Sequence, residues 1–172
     1  MEKLKKIWNV ISAILVTCVV IFALLLMGAR VIGLQVFNVI SGSMSPNYNV
    51  GDLIYVKTVD PDAVKVDDVI TFVLNENLVV ATHRVVAIDK ENSQFTTKGD
   101  ANQTQDAAPV HFNNLIGVPV FKIPLLGYVS DFIQHPPGTY IAVGGVAILA
   151  LAVFLPDLFK KKEDPENKEE AK

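Results

Sequence analysis

The chain has 172 residues, of which 51% are hydrophobic, and its formal net charge at pH 7 is −3. It lacks the excess of basic residues that binding to nucleic acid requires, so a nucleic-acid partner is excluded. Its single cysteine, Cys18, lies in an apolar segment near the N-terminus, which excludes disulfide bonds and cysteine catalysis from the rest of the chain.

The first predicted element is an uncharged apolar helix over residues 7–29. Its 23 positions are enough to cross a hydrocarbon core of about 30 Å. A cleavable signal sequence also begins with lysines before an apolar run, but its apolar region is only about 7 to 15 residues long. We therefore predict an uncleaved transmembrane helix that follows a short cytoplasmic N-terminus, residues 1–6, with its lysines on the cytoplasmic side.

Residues 30–137 are predicted to form one extracytoplasmic domain of antiparallel β structure with little helix. Its candidate strands are rich in Val, Ile, Phe and Thr, and turn residues such as Asn75-Glu76-Asn77 separate them. The predicted strands cover residues 52–57, 69–74, 78–88, 95–98 and 116–123. The proline-containing pieces 123–124 and 134–137 predict an irregular path back to the membrane.

A second apolar segment, residues 138–159, predicts another transmembrane helix, although its most apolar part is shorter than the first. Lysines 160–162 begin a charged tail, residues 160–172, which we expect to be cytoplasmic. The expected fold class is therefore a mainly β, antiparallel outer domain flanked by two transmembrane α-helices.

The motif Ser41-Gly42-Ser43-Met44-Ser45-Pro46 follows the first apolar helix by about a dozen residues. A serine becomes a nucleophile only when a base removes its proton and donors stabilise the oxyanion formed on the substrate. If a serine of this motif is a nucleophile, its closeness to the membrane helix restricts it to substrates at the membrane surface.

His83 is the first candidate base, because it lies in a predicted strand with an apolar face. Strict alternation puts five residues on that face, namely Val79, Ala81, His83, Val85 and Ala87. A partly desolvated imidazole held there is suited to general-base work at neutral pH. A core histidine bonded to a backbone group gives the same pattern, so this strand alone leaves both interpretations open.

The other two histidines, His111 and His135, have weaker claims, since local turns and packing near the second apolar segment account for them. The three histidines are widely scattered in sequence, so no metal site and no cofactor are predicted. Two carboxylates follow the predicted strand 95–98, namely Asp100 and Asp106. Either could orient a base histidine, and either could serve only to bond nearby turn amides.

Five pieces in this order and spacing resemble the type I signal peptidases. They are the serine motif, Gly51-Asp52, His83-Arg84-Val85, Lys98-Gly99-Asp100-Ala101-Asn102 and Asp106. The resemblance covers the first apolar helix and nearly all of the outer domain. Bacterial members commonly have a lysine base where this chain has His83, whereas the endoplasmic-reticulum, archaeal and spore-former branch has histidine. The chain resembles the second branch.

This resemblance implies a serine endopeptidase in which Ser43 is the nucleophile, His83 the general base and acid, and Asp106 the orienting carboxylate. It implies a supporting role for Asp100 and an oxyanion-stabilising role for the Ser41 hydroxyl. One alternative is a membrane-tethered β domain that binds partners without cleaving them. Another is a peptidase in which Lys98 or Lys57 replaces the histidine as base.

The implied substrates are preproteins, which carry a cleavage site of small residues just beyond an apolar region and hence just outside the membrane. An extended substrate could add as a strand beside Ser43, with shallow apolar pockets that admit small side chains. The apolar stretch 31–40 could dip into the lipid interface and contribute to those pockets. The expected location is the cell membrane, or the endoplasmic reticulum membrane in a eukaryote, in a multi-pass topology. The sequence leaves open whether accessory subunits are needed.

Overall fold

The computed structural model of the protein describes residues 2–74 and 79–158. The chain begins with helix α1, Glu2–Ala23, followed by a π-helical turn, Leu24–Gly28, and a short helix α2, Ala29–Val31. The window Lys6–Ala23 in α1 has a mean hydropathy of 2.1 and is long and apolar enough to cross a membrane. One N-terminal candidate membrane helix is therefore present, as the sequence predicted.

Over the described residues a seven-stranded sheet of antiparallel neighbours follows, and it confirms the predicted mainly β domain. Its spatial order is β1-β2-β7-β3-β4-β5-β6. The strands are β1 Leu34–Asn38, β2 Leu53–Lys57, β3 Val69–Val73, β4 Val80–Asp89, β5 Gln94–Lys98, β6 Val110–His111 and β7 Leu115–Ile123.

Two clusters of buried apolar side chains hold the domain together. The first lies on β3, β4 and β5 and contains Ile70, Phe72, Val85 and Phe95, all of which are fully buried. The second joins β2 to the helices through its buried residues, Ala29, Leu53 and Tyr55. The Tyr55 hydroxyl donates to the carbonyl of Leu25 in the π-helical turn across 2.7 Å, which satisfies a backbone acceptor where the helix is irregular.

Two local features differ from the sequence predictions. Residues 34–38, within the stretch expected at the lipid interface, form the edge strand β1 on β2. The alternation of β4 is interrupted by a bulge between Val85 and Ala87, so Ile88 rather than Ala87 packs on the core. The predicted turn at residues 75–77 and the tail at 160–172 lie outside the described residues.

Two helices follow β7. The first lies where a return path to the membrane was expected, and the second covers the apolar segment that was predicted to be helical. Helix α3, Leu126–Gln134, ends before His135-Pro136-Pro137, because proline cannot continue a helix and restricts the residue before it. Helix α4, Gly138–Leu158, then leaves at an angle of 92° to α3. Over the described residues the two helices meet the criteria for a membrane span only as a bent pair, so a second transmembrane helix is not established by the fold.

Candidate active site

Ser43 lies in the tight turn between β1 and β2. The turn is closed by backbone hydrogen bonds from Ser45 to Gly42 at 3.0 Å and from Tyr48 to Met44 at 2.9 Å. The neighbouring side chain of Met44 is only 2% exposed, so it anchors the turn in the protein. The Ser43 side chain is half-buried and lines a cleft of about 490 Å³.

His83 lies in the first half of β4, between β3 and β5. Its backbone pairs with Ile70 of β3, and its ring meets the Phe72 ring edge-on, with centroids 6.2 Å apart. The side chain is 14% exposed, and its Nε2 lies 3.1 Å from the Ser43 Oγ. Sheet pairing thus holds the imidazole beside the hydroxyl of a residue that is 40 positions away in sequence.

Asp106 lies on the other side of the imidazole, with its Oδ2 2.6 Å from His83 Nδ1. Because a carboxylate only accepts hydrogen bonds, Nδ1 is the donor, which leaves Nε2 free to accept the Ser43 hydroxyl proton. The buried hydroxyl of Thr97 also donates to Asp106 Oδ2 at 2.6 Å, and the Asp106 N–H donates to the Thr97 carbonyl at 2.8 Å. The carboxylate is therefore fixed from the end of β5.

Asp100 has different partners. Its carboxylate accepts two hydrogen bonds from Arg84, at 2.8 Å from Nε and 2.7 Å from Nη2, and one from the Asn47 amide at 2.6 Å. The Arg84 hydrogen bonds are the main cause that holds the pKa of Asp100 below its ordinary value, against the opposing effect of burial. Arg84 also donates to the carbonyl of Asp67 at 2.7 Å. Asp100 thus joins β4 to the turn that carries Ser43.

The segment 99–102 touches Ser43 directly through the backbone. The Ala101 N–H donates to the Ser43 carbonyl at 2.8 Å, and the Asp100 N–H points to the Met44 sulfur at 3.4 Å. A Cβ on Gly99 would lie only 2.6 Å from the Ser43 carbonyl oxygen, so a side chain there would displace one of the two segments. Glycine at this position allows the segment to approach the serine turn.

A second ion pair, formed by a lysine of β7, stabilises the same turn. Lys122 donates to the carbonyl of Asn47 at 2.6 Å and to the buried carboxylate of Asp52 at 2.8 Å, and its ammonium lies 5.6 Å from the centre of the Tyr48 ring. Burial raises the pKa of Asp52, but the hydrogen bonds from the Asn49 N–H and from Lys122 outweigh it and leave that pKa below its ordinary value.

The other residues that the sequence suggested for the site have fewer contacts with Ser43 and His83. The Ser41 hydroxyl is exposed and lies 3.3 Å from the Ser43 hydroxyl. In the described part of the chain, neither Lys57 nor Lys98 has a hydrogen bond or ion pair with Ser43. His111 accepts a hydrogen bond from the Asn113 N–H, and the exposed His135 pairs with its own helix. Residues 2–74 and 79–158 contain no group of three or more His, Cys, Asp and Glu that could hold a metal ion.

Sequence reasoning missed several of these contacts. The sequence indicates Arg84 only as part of a motif, and it predicts no role for Thr97, Asn47 or Lys122. Thr97 could have been found from the pattern, because it shares the buried face of β5 with Phe95, and a buried hydroxyl needs a partner. The partners of the other three residues lie far away in sequence, and no periodicity predicts them.

A nucleophile candidate, an imidazole and a carboxylate in hydrogen-bonded series are the arrangement found in serine hydrolases. Here it lies on an antiparallel sheet whose N-terminal neighbour is a candidate membrane helix. The fold and the site together therefore resemble a membrane-anchored serine hydrolase.

Comparison with known proteins agrees with this class. Signal peptidase I W of Bacillus subtilis (strain 168) is 38% identical over 122 residues, which cover 65% of this chain and 64% of the relative. The signal peptidase complex catalytic subunit sec11 of Schizosaccharomyces pombe is 26% identical over 141 residues, covering 66% and 75% of the two chains. The SEC11 subunit of Lodderomyces elongisporus is 27% identical over 124 residues, covering 66% and 73%. No protein-family model matches the chain.

The chain is therefore similar to the type I signal peptidases, including those of the branch that has histidine. It spans just under two thirds of the length of signal peptidase I W.

Proposed function

We propose that this protein is a membrane-bound serine endopeptidase that cleaves signal peptides from exported preproteins. The observation that carries the proposal is the continuous hydrogen-bonded series of Ser43, His83 and Asp106, with spacings of 3.1 and 2.6 Å. The names of the relatives supply the substrate class, since each is called a signal peptidase or a catalytic subunit of a signal peptidase complex. No cofactor enters the proposed reaction.

In the proposed reaction, Ser43 Oγ attacks the carbonyl carbon of the scissile peptide while His83 Nε2 takes the hydroxyl proton. The carboxylate of Asp106 stabilises the imidazolium that results and keeps Nδ1 protonated. His83 then gives the proton to the leaving amine, which breaks the C–N bond and leaves an ester on Ser43. Water attacks this ester with His83 again as base, and the acid product and free Ser43 are released.

The oxyanion formed in each step needs donors at the serine turn. We propose that the Ser43 N–H and the Ser41 hydroxyl supply them, because the Ser41 Oγ lies 3.3 Å from the attacking oxygen. Asp100 supports the site indirectly, since it ties Arg84 and Asn47 to the turn. Removal of one oxyanion donor lowers kcat by about 10²–10³-fold, so Ser41→Ala should fall in that range while Ser41→Thr keeps part of the rate.

The cleft beside Ser43 suits an extended peptide. One wall is the chain that continues from the edge strand β1, and the other is the start of β4. A peptide can add to such an edge through backbone hydrogen bonds while alternate side chains enter pockets. The described lining residues are Phe37, Asn38, Val39, Ile40, Ser41, Ser43, Met44, Tyr48, Ile54, Val79, Val80, Ala81, Thr82 and His83. This mainly apolar lining favours small, uncharged side chains next to the scissile bond.

The proposed topology has two membrane spans. Residues 7–29 and 138–159 would cross the bilayer, residues 30–137 would form the extracytoplasmic domain, and the termini, residues 1–6 and 160–172, would be cytoplasmic. Helix α4 supports the second span because it exposes apolar side chains over more than half of its circumference, a surface that an apolar medium stabilises. Its described exposed apolar residues are Tyr140, Ile141, Val143, Val146, Ile148 and Leu151. The lipid bilayer is thus a proposed partner together with the preprotein.

The proposal is tested by incubating a purified preprotein with the full-length protein in lipid vesicles. Cleavage by the wild type should be lost in Ser43→Ala and His83→Ala and kept in the control variants Lys98→Ala and Lys57→Ala. Cleavage that survives His83→Ala but is lost with a lysine variant would transfer the role of base to that lysine.

If the Ser43→Ala variant cleaves the preprotein as fast as the wild type does, the protein is not a serine peptidase at this site. If the purified wild type is inactive, the assay is repeated in membranes that contain their own translocation machinery. Activity that returns there would indicate accessory subunits, as the relatives named as subunits of a complex suggest. Inactivity in both settings would favour a binding function.

A further inference from the structure

Helix α3 carries a stripe of exposed apolar side chains on a single face. The stripe consists of Leu125, Tyr128, Val129 and Phe132, which are between 44% and 65% exposed. Tyr128, Val129 and Phe132 lie on one side of the helix, because Phe132 follows the other two by four and three positions. Leu125 directly precedes the first turn of the helix. The opposite side contains the buried residues Gly127 and Ser130 and the core contact Leu126. The helix is therefore held by one face and leaves an apolar face uncovered.

The direction of α3 relative to α4 indicates what covers this face. The two helices meet at 92°. Helix α4 has no charged residue between positions 138 and 153 and exposes apolar side chains over more than half of its circumference. If α4 runs along the membrane normal, α3 lies parallel to the membrane plane. Helices with one apolar face and this orientation bury that face at the boundary between headgroups and acyl chains.

We propose that α3 is an interfacial helix, whose stripe of Leu125, Tyr128, Val129 and Phe132 inserts into the outer surface of the lipid bilayer. Asp131 falls at the edge of the stripe by helical geometry, where its exposed carboxylate, paired with His135, can remain at headgroup level. Tyr128 suits the same level, because its ring is apolar and its hydroxyl is polar.

This placement has a consequence for the serine turn. The Gly127 N–H donates to the Gly51 carbonyl at 2.9 Å, and the Tyr128 ring lies so close to Gly51 that a Cβ there would overlap it. Gly51 in turn donates to Val39, in the segment that leads from β1 to Ser43. The lipid-bound helix therefore sets the height of Ser43 above the membrane surface. This inference depends on the proposed membrane span of α4 and not on the proposed peptidase activity.

The experiment measures where a fluorophore on the stripe lies. The only tryptophan, Trp8, is replaced by phenylalanine, and Phe132→Trp is introduced into the full-length protein in phosphatidylcholine vesicles. Lys90→Trp, at a 73% exposed side chain beyond the end of β4, is the matched aqueous control. We expect lipids brominated near the headgroup to quench the Phe132→Trp variant at least twofold. We expect iodide to quench it less than a third as strongly as the Lys90→Trp control.

Two outcomes would overturn the inference. Iodide quenching equal to that of the Lys90→Trp variant would mean that the stripe faces water. Protection from both iodide and brominated lipid would mean that a second copy or another protein covers it. The measurement is repeated with Ser43→Ala, since lipid quenching needs no catalysis. If brominated lipid quenches the Phe132→Trp fluorophore in the inactive Ser43→Ala protein, the inference about α3 holds whether or not the proposed peptidase function is correct.

Discussion

Thr97 and Asp106 are joined by two hydrogen bonds, one in each direction. The Thr97 hydroxyl donates to Asp106 Oδ2 at 2.6 Å, and the Asp106 N–H donates to the Thr97 carbonyl at 2.8 Å. The same Oδ2 lies 2.6 Å from His83 Nδ1. A fully buried threonine on a strand thus fixes both the backbone and the carboxylate of a residue on a loop.

We predict that Thr97→Val lowers the cleavage rate by about 10–10²-fold, because a hydrogen bond to a charged group contributes about 1.5–3 kcal/mol and a loss of about 1.4 kcal/mol is tenfold in rate. The change keeps the volume and the strand preference of the residue. Thr97→Ser, which keeps the hydroxyl, should retain most of the rate. Steady-state cleavage of a short preprotein peptide distinguishes the variants, and equal rates for valine and serine would mean that the hydroxyl has no positioning role.

Loss of the Asp106 carboxylate should mainly lower kcat, whereas loss of the Asp100 carboxylate should mainly lower stability. Asp106→Asn should lower kcat by about 10³–10⁴-fold, the size expected when the carboxylate that orients a base histidine is neutralised. Asp100→Asn should lower the free energy of unfolding by about 1–3 kcal/mol, since it weakens the Arg84 hydrogen bonds, and should reduce kcat less than about tenfold. Urea unfolding and single-turnover cleavage of both variants are compared, and a larger kcat loss in Asp100→Asn would reverse the proposed roles.

The strands of the outer domain could be predicted because their composition and turns are local signals. All five predicted strands are present, with ends that differ by at most two residues where described. Strand β1 was missed because it continues the apolar character of the preceding helix, so no change in composition marks its start. Helix α3 was missed because the nearby prolines suggested an irregular path, although its apolar residues have helical spacing.

The residue types of the candidate site could be predicted from the sequence, but the partners that these residues contact could not. Sequence motifs pointed to Ser43 and His83, but the choice between Asp100 and Asp106 depends on the path of the chain between them. The pairing of Arg84 with Asp100 joins a strand to a loop 16 positions later, and that of Lys122 with Asp52 spans 70 positions. Such long-range contacts follow from the order of strands in the sheet, which the local pattern does not encode.

Gly99 should be intolerant of even the smallest side chain. A Cβ there would lie 2.6 Å from the Ser43 carbonyl oxygen, a backbone atom that cannot move alone. We expect Gly99→Ala to lower kcat by about 10²-fold, because a displacement of about 1 Å is enough for such a loss. The matched control is Gly144→Ala, where a Cβ would meet nothing within 4 Å. Cleavage rates and thermal unfolding are measured together, so that a displaced serine turn can be distinguished from a loss of the fold. A Gly99→Ala variant with full activity would show that this contact does not hold the turn.

The pairing of Arg84 with Asp100 should make stability depend on acid pH. The Arg84 hydrogen bonds hold the pKa of Asp100 below its ordinary value in the folded protein. A carboxyl with a lowered folded pKa stabilises the fold above its unfolded pKa, near 3.9, and this stabilisation is lost as the pH falls through the folded value.

The wild type should therefore exceed Arg84→Met in free energy of unfolding by about 1–3 kcal/mol at pH 7, and this difference should shrink below about pH 4. Urea unfolding between pH 7 and pH 3 measures the difference, and Lys90→Met serves as the control for loss of an exposed cation. In the Asp100→Asn background, Arg84→Met should have a smaller effect that no longer varies with pH over this range. A difference that stays constant from pH 7 to pH 3 in the wild-type background would mean that the arginine acts through its contact with the Asp67 carbonyl instead.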